Sequence, residues 1–247
     1  MWSTSIGGIM PGSRSFERKS IAVLTGAGIS AESGLRTFRG MGGLWENERI
    51  EDVATPDAWR RDPDKVNRFY DLRRVQAAEA QPNEGHLALA RLETGFDVDI
   101  LTQNVDDLHE RAGSSRILHL HGRLDSARCE ADPPCRAHIG ARPLRSTDVC
   151  RHGRRLRPDI VWFGEAVPLM EDAVEIVSMA DILIIVGTSL QVYPAAGLAL
   201  ATRPRTPIFV IDPDPNVPSL PDHVELIRET AVNGSPGLVH HLLTHHV

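Results

Sequence analysis

The chain has 247 residues, a formal net charge of −6 and a pI near 6.0, enough to bury a sizeable core in one domain, or in one large and one small. The acidic balance gives no overall attraction to nucleic acid or anionic membrane. Residues 1–20 hold no apolar run of signal-peptide length, and no later stretch is long and apolar enough to span a bilayer. These features lead us to expect a cytoplasmic monomer without nucleic-acid or membrane partners.

Residues 21–24 (IAVL) read as a strand that meets a glycine-rich turn, and ISAESGL after it opens a helix. Gly26, Gly28 and Ala31 fit a GxGxxA dinucleotide fingerprint, whose glycines let backbone amides approach a pyrophosphate at a helix N-terminus. A glycine-rich turn without a nucleotide is the alternative. In a dehydrogenase a second strand ending in an acid follows about 20 residues later. None is seen here. The chain runs instead into TFRGMGGLWENERI, where Phe38 could cover a nicotinamide ribose and Arg39 could pair with phosphate.

Residues 35–75 show no strand signal, and helical spans follow over 66–80 and 83–93. After the apolar run FDVDIL at 96–101 comes TQNVDDLH at 102–109. Amides and carboxylates at a strand's C-terminal end can bond a ribose and a carboxamide. The alternative is helix capping by Asp106 or Asp107; we expect one carboxylate to cap and Asn104 and Asp106 to bind. HLHG at 119–122 ends another run. Histidine suits general-base work near neutral pH, although a lone histidine is ordinarily structural. His119 and His121, two residues apart, share a strand face, so a metal pair is conceivable, yet no third ligand is evident.

Residues 123–158 are rich in Arg, Pro and Cys and poor in large aliphatics. Cys129, Cys135 and Cys150 are odd in number and clustered, which suggests metal before disulfide. The basic block 142–157 reads as a solvated loop, with docking on an acidic partner as the alternative. Strands at 182–186 (ILIIV) and 207–211 (PIFVI) follow, and the histidines in 240–247 read as a solvated helix end. Apolar strands separated by helical spans indicate an α/β fold, a parallel sheet covered on both faces. The two polar segments are insertions forming a small lobe against it, with a cleft between.

GAGISAESGLRTFRG, TQNVDDLHERAG, HLHG, RPDIVWFGE and GTSLQVYPAAG stand in the order in which sirtuins carry their motifs, and the chain resembles that family. The resemblance implies a Rossmann-like NAD domain (18–34, 81–122 and 159–247), a small lobe made of a helical insertion (35–80) and a Cys-containing, zinc-ribbon-like insertion (123–158), and an N-terminal extension (1–17). It implies NAD-dependent deacylation of acyl-lysine proteins: the acyl oxygen displaces nicotinamide, and His121 then deprotonates a ribose hydroxyl so that the acyl group passes to ADP-ribose. Ala27, Asn104, Val105 and Asp106 would form the nicotinamide pocket. Gln103 would hold its ribose, and Gly26, Gly28, Phe38, Arg39, Gly187, Thr188, Ser189, Asp212 and Ala231 the rest of NAD. His121 and Asn104 would be catalytic. Val161, Phe163, Gly164 and Glu165 on one side and residues 191–193, with Val192 and Tyr193, on the other would pair with an extended peptide.

A narrower resemblance, to members that remove succinyl and malonyl groups, rests on Tyr70 and Arg73. Three apart on a helix, they share a face and could grip a distal carboxylate; the alternative makes Tyr70 core and Arg73 a surface charge. The cysteines depart from the family's two CxxC pairs. Cys129, Cys135, Cys150 and His152 could still make a Cys3His site for structural zinc, with His138 as another fourth ligand or an eroded site as the alternatives. A mono-ADP-ribosyltransferase or NAD hydrolase, or a silent NAD-sensing module, could use the same pocket.

Overall fold

The computed structural model describes residues 18–35, 44–45, 48–131, 133–188, 190, 193–214 and 223–245, the side chains of Leu44 and Trp45 excepted. In chain order its strands are β1 (Ser20–Thr25), β2 (Leu44–Trp45), β3 (Glu48–Arg49), β4 (Asp97–Thr102), β5 (Ile117–His119), β6 (Gly122–Cys129), β7 (Arg136–His138), β8 (Leu156–Ile160), β9 (Ile182–Val186), β10 (Ile208–Ile211) and β11 (Val224–Ile227). The helices are α1 (Gly28–Ala31), α2 (Ile50–Val53), α3 (Pro56–Arg61), α4 (Pro63–Glu79), α5 (Glu84–Arg91), α6 (Leu108–Ala112), α7 (Met170–Met179) and α8 (Ala231–His245).

Six strands form one parallel sheet in the order β11-β10-β9-β1-β4-β5. Period-two alternation divides its side chains. Ile21, Val23, Ile100, Ile184 and Ile211 pack with Leu89 of α5 and Val239 and Leu242 of α8. Ala22, Leu24, Leu101, Leu183, Ile185 and Val210 pack with Val177 of α7 and Leu198. Both faces are dry, which is why these strands read as unbroken apolar runs, and each fully buried Ile or Leu contributes about 1.5–3 kcal/mol. The order reverses between β1 and β9. Ligands of open α/β sheets bind outside the strand ends at such a switch point.

Local chemistry fixes the helix starts. The Thr55 hydroxyl accepts from the Ala58 amide and the Asp62 carboxylate from that of Lys65, each beside a proline at the first helical position, so α3 and α4 start abruptly. Asn83 and His86 form a capping box on α5.

Three features depart from the sequence expectation. The segment read as strandless holds the short antiparallel pair β2–β3. The polar 123–158 segment is largely a three-stranded antiparallel sheet, β7-β6-β8, with a small core of Ala127, Cys129, Leu144 and Leu156. Its strands mix paired Arg and Asp, Arg157 among them buried, with few large aliphatics and so show little apolar signal. The edge strand β11 has two of its four residues exposed, and its run is interrupted by Glu225.

Candidate functional site

At the switch point two backbone turns touch. The Gly26 amide donates to the Val186 carbonyl at 3.0 Å and that of Gly28 to the Gly187 carbonyl at 2.8 Å. A Cβ at Gly28 would lie 2.7 Å from Gly187 Cα, and one at Gly187, whose φ is +61°, 2.4 Å from the Ile29 nitrogen. The glycines are needed because two main chains cross here, leaving amides beside the ends of β1 and β9.

The end of β4 supplies the polar groups. Asn104 donates through Nδ2 to the Gly26 carbonyl at 3.0 Å and to Ser30 Oγ at 3.3 Å, and its amide donates to Thr102 Oγ1 at 3.0 Å. Gln103 Nε2 donates to Thr188 Oγ1 at 3.2 Å, joining the ends of β4 and β9. Asp106 is buried; its Oδ2 accepts from Ser30 Oγ at 3.1 Å and its Oδ1 from the Leu108 amide at 3.2 Å. One carboxylate does cap, and it is Asp106, which also bonds Ser30, while Asp107 makes no side-chain cap bond and pairs with Arg111 instead. Burial raises the Asp106 pKa against the pull of its two hydrogen bonds.

His121 Nδ1 lies 3.1 Å from the Gln103 carbonyl, which can only accept, so Nδ1 carries the proton and Nε2 is left as the basic nitrogen. Burial lowers its pKa, opposed by that same bond. His119 is different. Its Nδ1 meets the Asn104 carbonyl at 3.2 Å and its Nε2 the Glu110 carboxylate at 2.8 Å. With both ring nitrogens engaged, the conceivable His119–His121 metal pair is ruled out, and His119 holds α6 against β5.

Several groups beneath the site escaped sequence reasoning. Thr25 Oγ1 bonds Thr102 Oγ1 at 2.9 Å and His109 Nε2 at 3.0 Å, and His86 Nε2 lies 3.5 Å from Ser30 Oγ. The His86 and His109 rings meet edge to face at 5.0 Å. Burial pushes His86 down to about 4 and His109 to about 3, so both are neutral at physiological pH. The only hints were the Asn83–His86 spacing of a capping box and a serine within the glycine motif.

Tyr70 is fully buried and accepts from Trp162 Nε1 at 3.1 Å, within a cluster with Phe69 and Trp59. Arg73, expected at the surface if it were a mere solvated charge, is also buried. Its guanidinium lies 3.8 Å over the Phe69 ring, and burial lowers its pKa to about 10. Tyr70 thus joins α4 to the segment after β8, while the Arg73 guanidinium folds back on the carbonyl and ring of Phe69.

In that segment the Val161 amide donates to the His121 carbonyl at 2.9 Å, that of Phe163 to Ala54 at 3.0 Å and that of Glu165 to Trp162 at 3.0 Å. The Glu165 carboxylate accepts from Arg157 at 2.6 Å and from the Trp162 amide at 2.8 Å. These groups, expected to meet a peptide, are spent on shaping the segment; what remains for an added strand is the other backbone groups around Gly164. Phe163 and Tyr193 are exposed at 44% and 75%. Asp212 holds a local turn, its Oδ1 accepting from the Asp214 amide at 3.0 Å, and Ala231 is buried at the start of α8. Phe38, Arg39, Ser189, Gln191 and Val192 lie outside the described residues.

The ligand atoms of Cys129, Cys135 and Cys150 lie within 4.8 Å of one another. The Cys135 amide donates to Cys129 Sγ at 3.2 Å and the His152 amide to Cys150 Sγ at 3.4 Å. His152 Nδ1 is 3.3 Å from Cys135 Sγ. His138, the other fourth ligand considered, is exposed and turned to Asp125 at 3.5 Å, which removes it. Three convergent thiols fit a soft tetrahedral cation.

Known proteins match this arrangement. The profile described as the Sir2 family matches residues 26–194. A Helicobacter pylori protein named NAD-dependent protein deacylase is 51% identical over 225 residues, covering 91% of this chain and 98% of its own. A structure described as a Sir2 homolog–NAD complex superposes with a TM-score of 0.79 at 41% identity, covering 92% of this chain and 90% of the other. A mutant Sir2 homologue in complex with 2'-O-acetyl ADP ribose gives 0.79 at 42% identity, with 92% of each chain covered.

Proposed function

The chain belongs to the Sir2 family, and from that premise we propose that it is an NAD-dependent protein-lysine deacylase with His121 as its general base. The observation that carries this reading is the convergence, at one sheet switch point, of the Gly26–Gly28 turn, the Asn104–Ser30–Asp106 network and the basic Nε2 of His121.

NAD supplies an activated ribose carbon whose bond to nicotinamide breaks as the acyl oxygen bonds to it. Ala27, Asn104, Val105 and Asp106 hold the nicotinamide. Gln103 sits by its ribose, and the crossed turns of Gly26, Gly28, Gly187 and Thr188 hold phosphates, with Asp212 and the start of α8 at Ala231 on the adenosine side. His121 takes a proton from a ribose hydroxyl through Nε2 while the Gln103 carbonyl steadies the imidazolium formed. The deprotonated ribose oxygen attacks the acyl carbon, water supplies the second oxygen as the lysine amine leaves, and the acyl group ends as an ester on ADP-ribose. Residues 161–165 and Tyr193 flank the peptide that brings the lysine.

Tyr70 and Arg73 select the acyl group in this reading. A guanidinium desolvated to this degree gains from a carboxylate brought beside it, so a succinyl or malonyl group is favoured. Cys129, Cys135, Cys150 and His152 hold structural zinc away from the chemistry. One NAD-dependent assay on acetyl-, succinyl- and unmodified-lysine peptides tests the whole reading. Nicotinamide release should require an acylated peptide; release without one would make the protein an NAD hydrolase or ADP-ribosyltransferase.

A further inference from the structure

Charge is distributed unevenly along the chain. Residues 123–158 hold nine arginines and four carboxylates, a formal +5 within a chain of −6, so the rest carries −11. The described carboxylates of this segment are already engaged: Asp125 with Arg123 at 2.8 Å, Asp148 with Arg142 at 2.8 Å, and Glu130 with the Trp59 indole at 2.7 Å. Arg145, Arg151 and Arg154 are exposed and make no ion pair within 4 Å among the described residues, although Asp148, already bonded to Arg142, lies near Arg145.

These three cations are held on ordered backbone. Two successive turns carry them, closed by Asp148 N to Arg145 O at 2.9 Å and by Cys150 N to Arg154 O at 2.8 Å, with Val149 and Arg155 bridged between. The Arg155 guanidinium lies 4.6 Å over the Trp59 ring, and Trp59 packs 5.8 Å from Trp162, within the segment given to the substrate peptide. Arg155, next to Arg154 in sequence, thus packs on the buried Trp59–Trp162 pair behind that segment, which ties the basic turn to the segment's interior. A balanced solvated loop would carry no such excess of one sign, and the acidic remainder of the protein repels the same partners that this face attracts.

We propose that the face carrying Arg145, Arg151 and Arg154 recruits acidic stretches of the acylated protein, away from the acyl-lysine itself. The proposal rests on the deacylase reading for what happens next, but capture itself needs no chemistry. It selects substrates by surface charge, where Tyr70 and Arg73 select by acyl group.

The test uses acetyl-lysine peptides of about 20 residues that differ only in a distal block of Glu or of Gln, with the full-length protein. Wild type should favour the Glu peptide in kcat/KM by roughly tenfold through KM, and the preference should vanish at high salt. Arg145→Glu/Arg151→Glu/Arg154→Glu should erase the preference and leave the Gln peptide unchanged. The single change Arg145→Glu, outside the Cys150 turn, should give a smaller loss and covers the case in which the triple variant does not fold. Equal use of both peptides by wild type, or equal losses on both in the variants, overturns the proposal. Fluorescence anisotropy with the labelled Glu peptide separates the two claims. Salt-sensitive, Arg145-dependent binding without turnover would keep the recruiting face and sink the deacylase reading, whereas duplex DNA bound more tightly than the Glu peptide would overturn the choice of partner.

Discussion

The end of the parallel sheet and the Cys-containing lobe hold their polar groups by opposite means. At the sheet, burial dominates: His86 and His109 are held neutral, His121 leans the same way, and the Asp106 carboxyl is pushed up despite two hydrogen bonds. In the lobe, arginines meet carboxylates near water, as in Arg136 with Asp159 at 3.0 Å and Arg142 with Asp148 at 2.8 Å. Such pairs contribute about 0–1 kcal/mol each. A dry site fixes geometry and tunes protonation, while a wet lobe whose own cluster among the described residues is as small as Ala127, Cys129, Leu144 and Leu156 needs another source of cohesion. By this comparison the sheet end is suited to chemistry, and the three convergent thiols of the lobe are compatible with a structural metal.

The sharpest way to break it is His121→Ala. We expect deacylation to fall by about 10²–10⁴ with thermal stability unchanged, since among the described residues His121 is the histidine at the site whose Nε2 is left without a partner; steady-state kinetics that keep substantial activity would remove His121 from the chemistry. Because burial lowers its pKa, the neutral base persists below the ordinary 6.5, and the acid limb of the kcat/KM profile should lie under that pH. Arg73→Met should lower desuccinylation by roughly 10–100-fold and deacetylation far less. Equal losses on both peptides would show that Arg73 only packs.

Cys129→Ser tests the lobe. It should release bound zinc, measurable by elemental analysis, and cost about 2 kcal/mol or more in unfolding free energy. Nicotinamide binding at the sheet end should survive; its loss together with the metal would erase the division between the regions. The smallest expected effect concerns stability and Asp106→Asn. A carboxyl whose folded pKa is raised stabilises the fold below its unfolded value near 3.8, and that contribution is lost as pH rises through the folded value. The variant should therefore melt at or slightly above wild type at pH 8 and lose that advantage toward pH 3, even as its turnover falls. A lower melting temperature at pH 8 would mean that the Ser30 and Leu108 bonds outweigh the burial cost.

Much of the sheet was legible. β1, β4, β9 and β10 stand out as apolar runs because both sheet faces are covered, and the helical spans at 66–80 and 83–93 match α4 and α5, although α4 begins three residues earlier, at Pro63. β11 and the β7-β6-β8 sheet were not: β7 and β11 are largely exposed, and β6 and β8 are built from arginines and aspartates that pair with one another or with Glu165, so polar residues mask the strand pattern. Within the site, Gly26, Gly28, Asn104 and His121 were legible from motifs. Ser30, Thr25, Thr102, His86 and His109 were not: their bonds join residues 56 to 84 positions apart, as between Ser30 and His86 or Thr25 and His109. No local pattern encodes such a pairing.

The sequence by itself determined the alternation that buries one sheet between two helical layers, and the residue types available where its strands end. Only the tertiary structure decided which of two histidines keeps a free nitrogen, that Asp106 bonds the first turn of α6 and Ser30 at once, and that Arg73 is buried. Those outcomes depend on what each group loses to burial and regains from a partner, and both are set by neighbours distant in the chain.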